Sequence, residues 1–156
     1  MNFDKYTIRA QEAVQAAVQS AQLGRQQSVE PLHLLKGIME KGKDTLNFIF
    51  QKLGANAHGV EMALQNELQH LPKVDGGQPY FSNETTQVFN QAESISQQWG
   101  DEFVSIEPLL MAIMKGNNTA GRILKDAGCT EDGMRKAIEE LRQGQQVQTQ
   151  SGDENY

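Results

Sequence analysis

Cysteine is almost absent from this chain, because Cys129 is the only one among 156 residues. A single thiol cannot form an internal disulfide, so the fold must be stable without one, as is typical of proteins in a reducing compartment. A reactive thiol also needs an activating cation nearby. The residues on both sides of Cys129 supply none, and we therefore predict a structural role for it.

Basic residues are scarce as well, since 14 Lys and Arg stand against 20 Asp and Glu, for a net charge of -6. Surfaces that bind nucleic acid or anionic membranes need clustered Lys and Arg. Long apolar runs are also missing: no stretch approaches the roughly 18 residues of a membrane span, and the N-terminus lacks a signal-peptide core. We predict a cytoplasmic protein that binds neither nucleic acid nor membranes.

The sequence GIMEKGKD, residues 37–44, differs at one position from the phosphate-binding motif GxxxxGK[ST]. In a working loop the last hydroxyl completes the shell of Mg²⁺, whereas Asp44 would place a carboxylate beside the phosphates. The motif also requires a buried strand before it, but the preceding residues carry apolar side chains at helical spacing. We interpret the stretch as a helix end at Gly42 followed by a second helix.

The sequence contains no recognisable catalytic or metal-binding constellation. His33, His58 and His70 lie on or beside different predicted helices, and neither HExxH nor CxxC spacing occurs. His33 lies within an apolar helix, so we predict that it is buried and structural. A small hydrolase would need convergent side chains that this spacing does not provide. We predict no catalytic residue, no metal, no bound cofactor and no enzymatic activity for these residues.

Apolar side chains recur with helical periodicity over most of the chain, which favours an all-α fold. Glycines follow several of the periodic stretches, as helix ends require, and Thr7 can cap the first helix. We predict eight helices, at about residues 7–23, 31–41, 45–53, 56–71, 82–99, 105–114, 119–127 and 130–141.

The two halves of the chain are an internal repeat. At an offset of 75 residues Val29 falls on Val104, and at an offset of 74 Gly54 falls on Gly128. The likeness of SVEPL to SIEPL suggests an offset of 77 instead, but that register spoils the helical stripe, so we prefer 75. At 74, Leu68 falls on Arg142, a mismatch that adding one residue would remove.

The repeat predicts two pseudo-twofold-related units of four helices each, residues 1–71 and 82–143, which pack into one compact helical domain because each is too small to bury its own apolar faces. Residues 72–81 contain Pro and Gly-Gly and are predicted to be a linker. Residues 144–156 are polar without an apolar face, and we predict a disordered tail.

Several motifs resemble the double Clp N-terminal repeat. They are FDKYTIRAQEAVQAA at the N-terminus, EPLHLLKGIM in the second helix, LPKVDG in the linker and GDEFVSIEPLLMAIM in the second half. The likeness covers residues 1 to about 143, and LPKVDG and GDEFVS look most like the ClpB disaggregase branch. It implies a detachable N-terminal domain of a hexameric AAA+ unfoldase, in which ATP and Mg²⁺ bind to downstream modules.

The resemblance also implies a substrate groove at the start of the first helix and along the second repeat. The implied positions are Thr7, Asp101 and Glu107 as polar residues, with Tyr6, Ile95 and Pro108 as apolar neighbours. Simpler roles remain open for the polar three: Thr7 caps a helix, Asp101 stabilises a turn, and Glu107 complements a helix dipole. The hypothesis predicts that Ile95→Ser weakens substrate binding and leaves the fold intact.

The expected partners follow from the same resemblance. They are unfolded or aggregated polypeptides, an adaptor or co-chaperone, and the AAA+ modules of the parent hexamer, while residues 1–156 alone are expected to be monomeric. Docking of a folded adaptor, as in the ClpA and ClpC branches, is the main alternative to generic substrate binding. A purely structural role in hexamer assembly is a further alternative.

Overall fold

The computed structural model describes residues 2–156, and within them the chain forms eight α-helices and very little strand. The helices are α1 (Ile8–Leu23), α2 (Pro31–Lys41), α3 (Lys43–Leu53), α4 (Ala57–Gln69), α5 (Asn83–Gln98), α6 (Ile106–Lys115), α7 (Thr119–Asp126) and α8 (Glu131–Arg142). Two short strands, β1 (Ser28–Val29) and β2 (Tyr80–Phe81), pair in parallel, and a 3₁₀ turn covers Gly152–Glu154. The all-α prediction is confirmed.

Local sequence signals account for the start of most helices. Thr7, Asn56, Ser82, Asn118 and Thr130 each precede a helix and accept a hydrogen bond from a backbone amide in its first turn. Between α2 and α3 only Gly42 intervenes. The near-match to a phosphate-binding loop is therefore a helix-helix junction, as predicted.

Backbone pairing between the halves confirms the repeat offset of 75 residues. The amide of Thr7 donates to the carbonyl of Val104 at 2.9 Å, and the amide of Ser82 donates to the carbonyl of Val29 at 3.1 Å. In each half, the residue before the first helix thus donates a hydrogen bond to the loop that precedes the second helix of the other half. This exchange gives the molecule its pseudo-twofold relation.

The structure corrects the register that we predicted at the ends of the repeats. Helix α4 begins after Asn56 and α8 begins after Thr130, and both helices are continuous. The offset of 74 therefore holds along their whole length, and Leu68 is equivalent to Arg142. No extra residue is inserted; a buried arginine occupies the position that a half-buried leucine has in the first repeat.

The two repeats share one hydrophobic core. Helix α3 packs against α8, while α2 contacts both α6 and α7. Within the first repeat α1 and α2 come unusually close at Gly37, where an added Cβ atom would lie 2.3 Å from the carbonyl oxygen of Ala13. Among the described residues no helix is both long and apolar enough to cross a membrane.

Residues 144–156, which we call the strap, differ from the predicted disordered tail. The strap crosses the start of α1 and the loop before α6, with Val147 fully buried and Asp153 only 2% exposed. Its path is held by hydrogen bonds from both its main chain and its side chains. Because periodicity detects only continuous apolar faces, the sequence pattern missed it.

Candidate functional site

The side chain of Arg142 lies at the centre of a buried polar cluster between the end of α8 and the start of α6. Its Nη1 donates to both carboxylate oxygens of Asp101, at 3.1 and 2.8 Å. Its Nε donates to Glu107 at 2.9 Å, and its Nη2 donates to the hydroxyl of Ser105 at 3.0 Å. One cation therefore binds two carboxylates in a region almost closed to water.

Aromatic rings lie close to the same guanidinium group. Its central carbon lies 5.1 Å from the ring centroid of Trp99 and 5.4 Å from that of Tyr156, distances suited to cation-π contact. Burial acts to lower the pKa of Arg142, but Glu107, Tyr156 and Asp101 outweigh it and raise the pKa above its usual range. Arg142 thus stays charged and organises the cluster.

Thr7 joins the start of α1 to the strap. Its hydroxyl accepts from the amide of Ala10 at 3.1 Å, which caps α1, and donates to a carboxylate oxygen of Asp153 at 2.7 Å. The next amide, that of Ile8, donates to the strap carbonyl of Gln150 at 2.8 Å. Burial, supported by the nearby Glu107, raises the pKa of Asp153 above its usual value, although the bond from Thr7 acts to lower it.

The carboxylate of Glu107 is shared between the body of the domain and the strap. Its Oε1 accepts from Arg142 and from the phenol of Tyr156, while its Oε2 is buried without a hydrogen-bond partner. The Oδ1 of Asp153 is unpartnered in the same way. Unsatisfied buried acceptors carry a desolvation cost, so the polar pairing at this site is incomplete.

Tyr6 lies beside the polar cluster but belongs to an aromatic group. It is 1% exposed, with ring centroids 4.9 Å from Phe3 and 6.2 Å from Phe89. Burial, with a smaller effect of Glu93, raises the pKa of its phenol above its usual range. In this conformation the ring is covered.

The structure buries all six residues that the sequence predicted for a groove. Arg142 links Asp101 to Glu107, and the strap contacts Thr7 and Asp101. Ile95 differs from the expectation, because it is 3% exposed and part of the hydrophobic core. Pro108 is also buried, in the first turn of α6. Ile95→Ser is therefore expected to destabilise the fold, contrary to our expectation that the fold would stay intact.

Sequence reasoning missed Arg142, Trp99 and the strap residues of the cluster. A signal was present for Arg142: it replaces a leucine at the repeat-equivalent position, and its partner Glu107 is equivalent to the buried Leu32. A charge pair thus stands where the first repeat has two apolar residues. No comparable signal existed for Asp153 or Tyr156, whose partners are distant in sequence.

Other features considered as candidate sites are the thiol of Cys129, sets of metal-ligating side chains and an apolar groove. Burial raises the pKa of the Cys129 thiol to about 11, which keeps it protonated at neutral pH. Across residues 2–156, no three His, Cys, Asp or Glu side chains converge in the manner of a metal site. A separate apolar groove of about 600 Å³ lies between α2, α3 and α4, lined in part by Met39, Phe50 and Leu64. None of the six predicted residues lines it.

Comparison with protein-family models identifies the domain family of this chain. The model of the Clp repeat (R) N-terminal domain matches residues 5–127. The chain is 48% identical over 156 residues to the chaperone protein ClpB of Bacteroides thetaiotaomicron and 43% identical to that of Porphyromonas gingivalis. All of this chain aligns in both cases, yet it spans only 18% of the length of these relatives.

A solved structure shares the fold. The crystal structure of the Hsp104 N-terminal domain from Candida albicans superposes with a TM-score of 0.82, covering 96% of this chain and 99% of that one. Sequence identity over this match is 23%, so the likeness concerns the arrangement of helices.

Proposed function

Because this chain belongs to the family of Clp repeat N-terminal domains, we propose that it is the substrate-engaging N-terminal domain of a ClpB-type AAA+ disaggregase. In this proposal it binds unfolded or aggregated polypeptide at the site around Thr7, Asp101 and Glu107 and helps to deliver it to the pore of a hexamer. ATP and Mg²⁺ bind to downstream modules, and these residues hold no cofactor.

The observation that carries the proposal is the occupancy of this site by the strap, which has no regular structure over residues 145–148 and ends in a 3₁₀ turn. The amides of Ile8, Glu102 and Phe103 donate to strap carbonyls, and such main-chain contacts are independent of the sequence that is bound. Arg142 offers a flat cation to an aromatic side chain. A surface that holds one irregular segment through these groups is chemically suited to hold others.

Weak binding fits this role better than tight binding. A segment held mostly by a few backbone hydrogen bonds gains little net free energy from each. We expect micromolar or weaker affinity, corresponding to about -8 kcal/mol or less favourable. In a hexamer, tethered copies would raise the effective concentration of sites, while each individual contact would still release its segment to the pore.

An NMR titration of the labelled chain with a permanently unfolded polypeptide, such as reduced and carboxymethylated α-lactalbumin, tests the proposal. The amides of Thr7, Ile8, Asp101 and Glu107 are expected to shift, while those along the separate groove between α2, α3 and α4, such as that of Glu61, stay unchanged. Nanomolar affinity would contradict the weak-binding mechanism.

The same titration distinguishes generic substrate binding from docking of a folded adaptor. An absence of shifts at millimolar polypeptide would argue against generic substrate binding and favour a folded partner or a structural role. Shifts confined to the groove between α2, α3 and α4 would place the binding surface in the first repeat instead.

A further inference from the structure

The strap buries few of its residues against the rest of the domain. Among residues 144–156 only Val147, Gly152 and Asp153 are buried, and Tyr156 is partly buried; the others are exposed. Val147 is the sole aliphatic side chain in the segment. Since burial of apolar surface is the main favourable contribution to docking, the strap has few apolar groups to hold it in place.

The strap is hydrogen-bonded to the body through both its backbone and its side chains. The side chains of Gln146, Gln148 and Gln150 donate to body carbonyls, and those of Asp153 and Tyr156 pair with Thr7 and Glu107.

The remaining bonds use strap backbone atoms. The carbonyl of Val147 accepts from the amides of Glu102 and Phe103, at 2.9 and 3.3 Å, and its amide donates to Asp101 at 3.0 Å. The carbonyl of Gln150 accepts from Ile8 at 2.8 Å. The backbone groups occur in every polypeptide, so another segment can replace the strap at the same donors and acceptor.

The charges of the strap fit the site poorly. Asp153 places a carboxylate near Glu107, and each of these residues keeps one buried oxygen without a partner. The nearest cation on α1, Arg9, lies 3.9 Å from Glu154 in a partly exposed pair. Like charges and unpaired acceptors oppose docking.

We infer that residues 144–156 are a displaceable intramolecular ligand, which occupies the candidate site and opens from it while the helical body stays folded. This inference rests on the proposed function, because it makes the strap the competitor of incoming polypeptide. Regions with few buried contacts open locally at low free energy, and the strap meets that description. Binding of substrate then requires release of the strap.

The contacts also indicate the chemistry of an effective competitor. A segment with an apolar side chain at the position of Val147 and an aromatic one against Arg142 keeps the favourable contacts. A segment without a carboxylate at the position of Asp153 avoids the unpaired oxygen and the proximity to Glu107. Apolar, aromatic-containing segments are therefore expected to displace the strap more effectively than acidic ones.

Hydrogen exchange on residues 1–156 tests opening with two pairs of neighbouring amides. Ile8 and Glu102 donate to strap carbonyls, whereas Thr7 and Val104 donate to carbonyls in the body. After correction for intrinsic rates, Ile8 and Glu102 are expected to exchange at least about 10-fold faster than Thr7 and Val104, because they need only strap opening. Equal exchange rates would mean that the strap opens only on global unfolding and would overturn the inference.

Competition is tested with the double variant Val147→Ala, Tyr156→Ala, and with Asn155→Ala, an exposed strap residue, as the matched control. Circular dichroism verifies that each variant is folded. The double variant is expected to bind reduced, carboxymethylated α-lactalbumin about 3- to 10-fold more tightly than the parent chain, and the control is expected to match the parent.

The outcomes distinguish the two proposals. Equal binding by the parent chain and a folded double variant overturns the inference and leaves the proposed function standing. Absence of binding by both, at millimolar concentration, overturns the proposed function, and the strap then has no competitor to exclude. Should the double variant unfold, the strap is part of the core and is not displaceable, which also overturns the inference.

Discussion

At the residue scale, Arg142 shows how a single side chain decides the character of a site. It connects two carboxylates, a hydroxyl and two aromatic rings at the end of α8. The equivalent residue of the first repeat is Leu68, which makes an ordinary apolar contact with the core. The cation that organises the polar site is therefore supplied by the second repeat, and the equivalent position of the first repeat is apolar.

Replacing Arg142 by Met is expected to lower the free energy of unfolding by about 3–5 kcal/mol, because Asp101 and Glu107 would remain buried without their cation. Chemical denaturation measures the change. The matched control is Arg135→Met, which removes an exposed pair with Asp132 on the same helix and should cost below about 0.5 kcal/mol. Similar losses in both variants would contradict the buried ion pairs.

The second residue-scale prediction concerns His33, which is fully buried, as expected from the sequence. Its Nδ1 accepts from the amide of Glu30 at 2.9 Å, which requires the neutral ring. Burial lowers the pKa of His33 to about 4, against an opposing effect of Glu30. The unfolded chain therefore binds more protons than the folded one between pH 6.5 and 4, and stability must fall as the pH falls through that window.

His33→Gln is expected to remove this part of the pH dependence, because a glutamine oxygen can accept the same amide hydrogen bond at this position of a helix. The stability difference between pH 7 and 4 should shrink by roughly 2–3 kcal/mol relative to the parent chain. His70→Gln, at an exposed position, serves as the control. An unchanged pH profile in His33→Gln would show that His33 is not the group responsible.

At the element scale, the close approach of α1 and α2 depends on one glycine. Gly37 faces the backbone of α1, with an added Cβ only 2.3 Å from the carbonyl oxygen of Ala13 and 3.2 Å from the amide nitrogen of Ala17. A backbone contact of this kind cannot be relieved by a change of rotamer. The equivalent residue in the second repeat is Ala112, so this requirement is not a general feature of the repeat.

Gly37→Ala is expected to destabilise the domain by about 1–3 kcal/mol, since the two helices must separate to admit the methyl group. A comparison with Gly54→Ala isolates that effect. Gly54 has a φ of 65° and open space around its Cβ position, so its substitution costs about 1 kcal/mol from backbone strain alone. Thermal unfolding that ranks Gly37→Ala as the milder variant would argue against close packing of α1 and α2.

At the scale of the whole molecule, the two repeats are interdependent. Helices of one repeat pack against helices of the other, and the residue before each half's first helix pairs with the opposite half. Buried residues from both halves form one continuous core. The two repeats are therefore recognisable in the sequence, but they are not independent units of stability.

Fragments 1–81 and 82–156 are accordingly each expected to lack cooperative thermal unfolding when expressed alone, because each exposes the apolar faces that the other covers. Mixing the two fragments should restore helical circular dichroism and a cooperative transition. Cooperative unfolding of an isolated fragment, at a midpoint near that of the intact chain, would contradict the shared core.

Much of the fold could be predicted because its signals are local. The cap at Thr7, the junction at Gly42 and the apolar periodicity each involve residues within a few positions of one another. Such short-range preferences act in the chain before any tertiary contact forms. The offset of the repeat could be predicted for the same reason, because it is found by comparing one local pattern with another.

The exposure of the candidate site was decided only by the tertiary structure. Thr7 contacts Asp153, 146 residues away, and Glu107 contacts Tyr156, 49 residues away. No periodicity signals such contacts, because they depend on where a polar segment without an apolar face comes to lie. The sequence by itself determined the helices and their repeat, whereas the packing of distant segments determined that the strap covers the site and that Arg142 organises it.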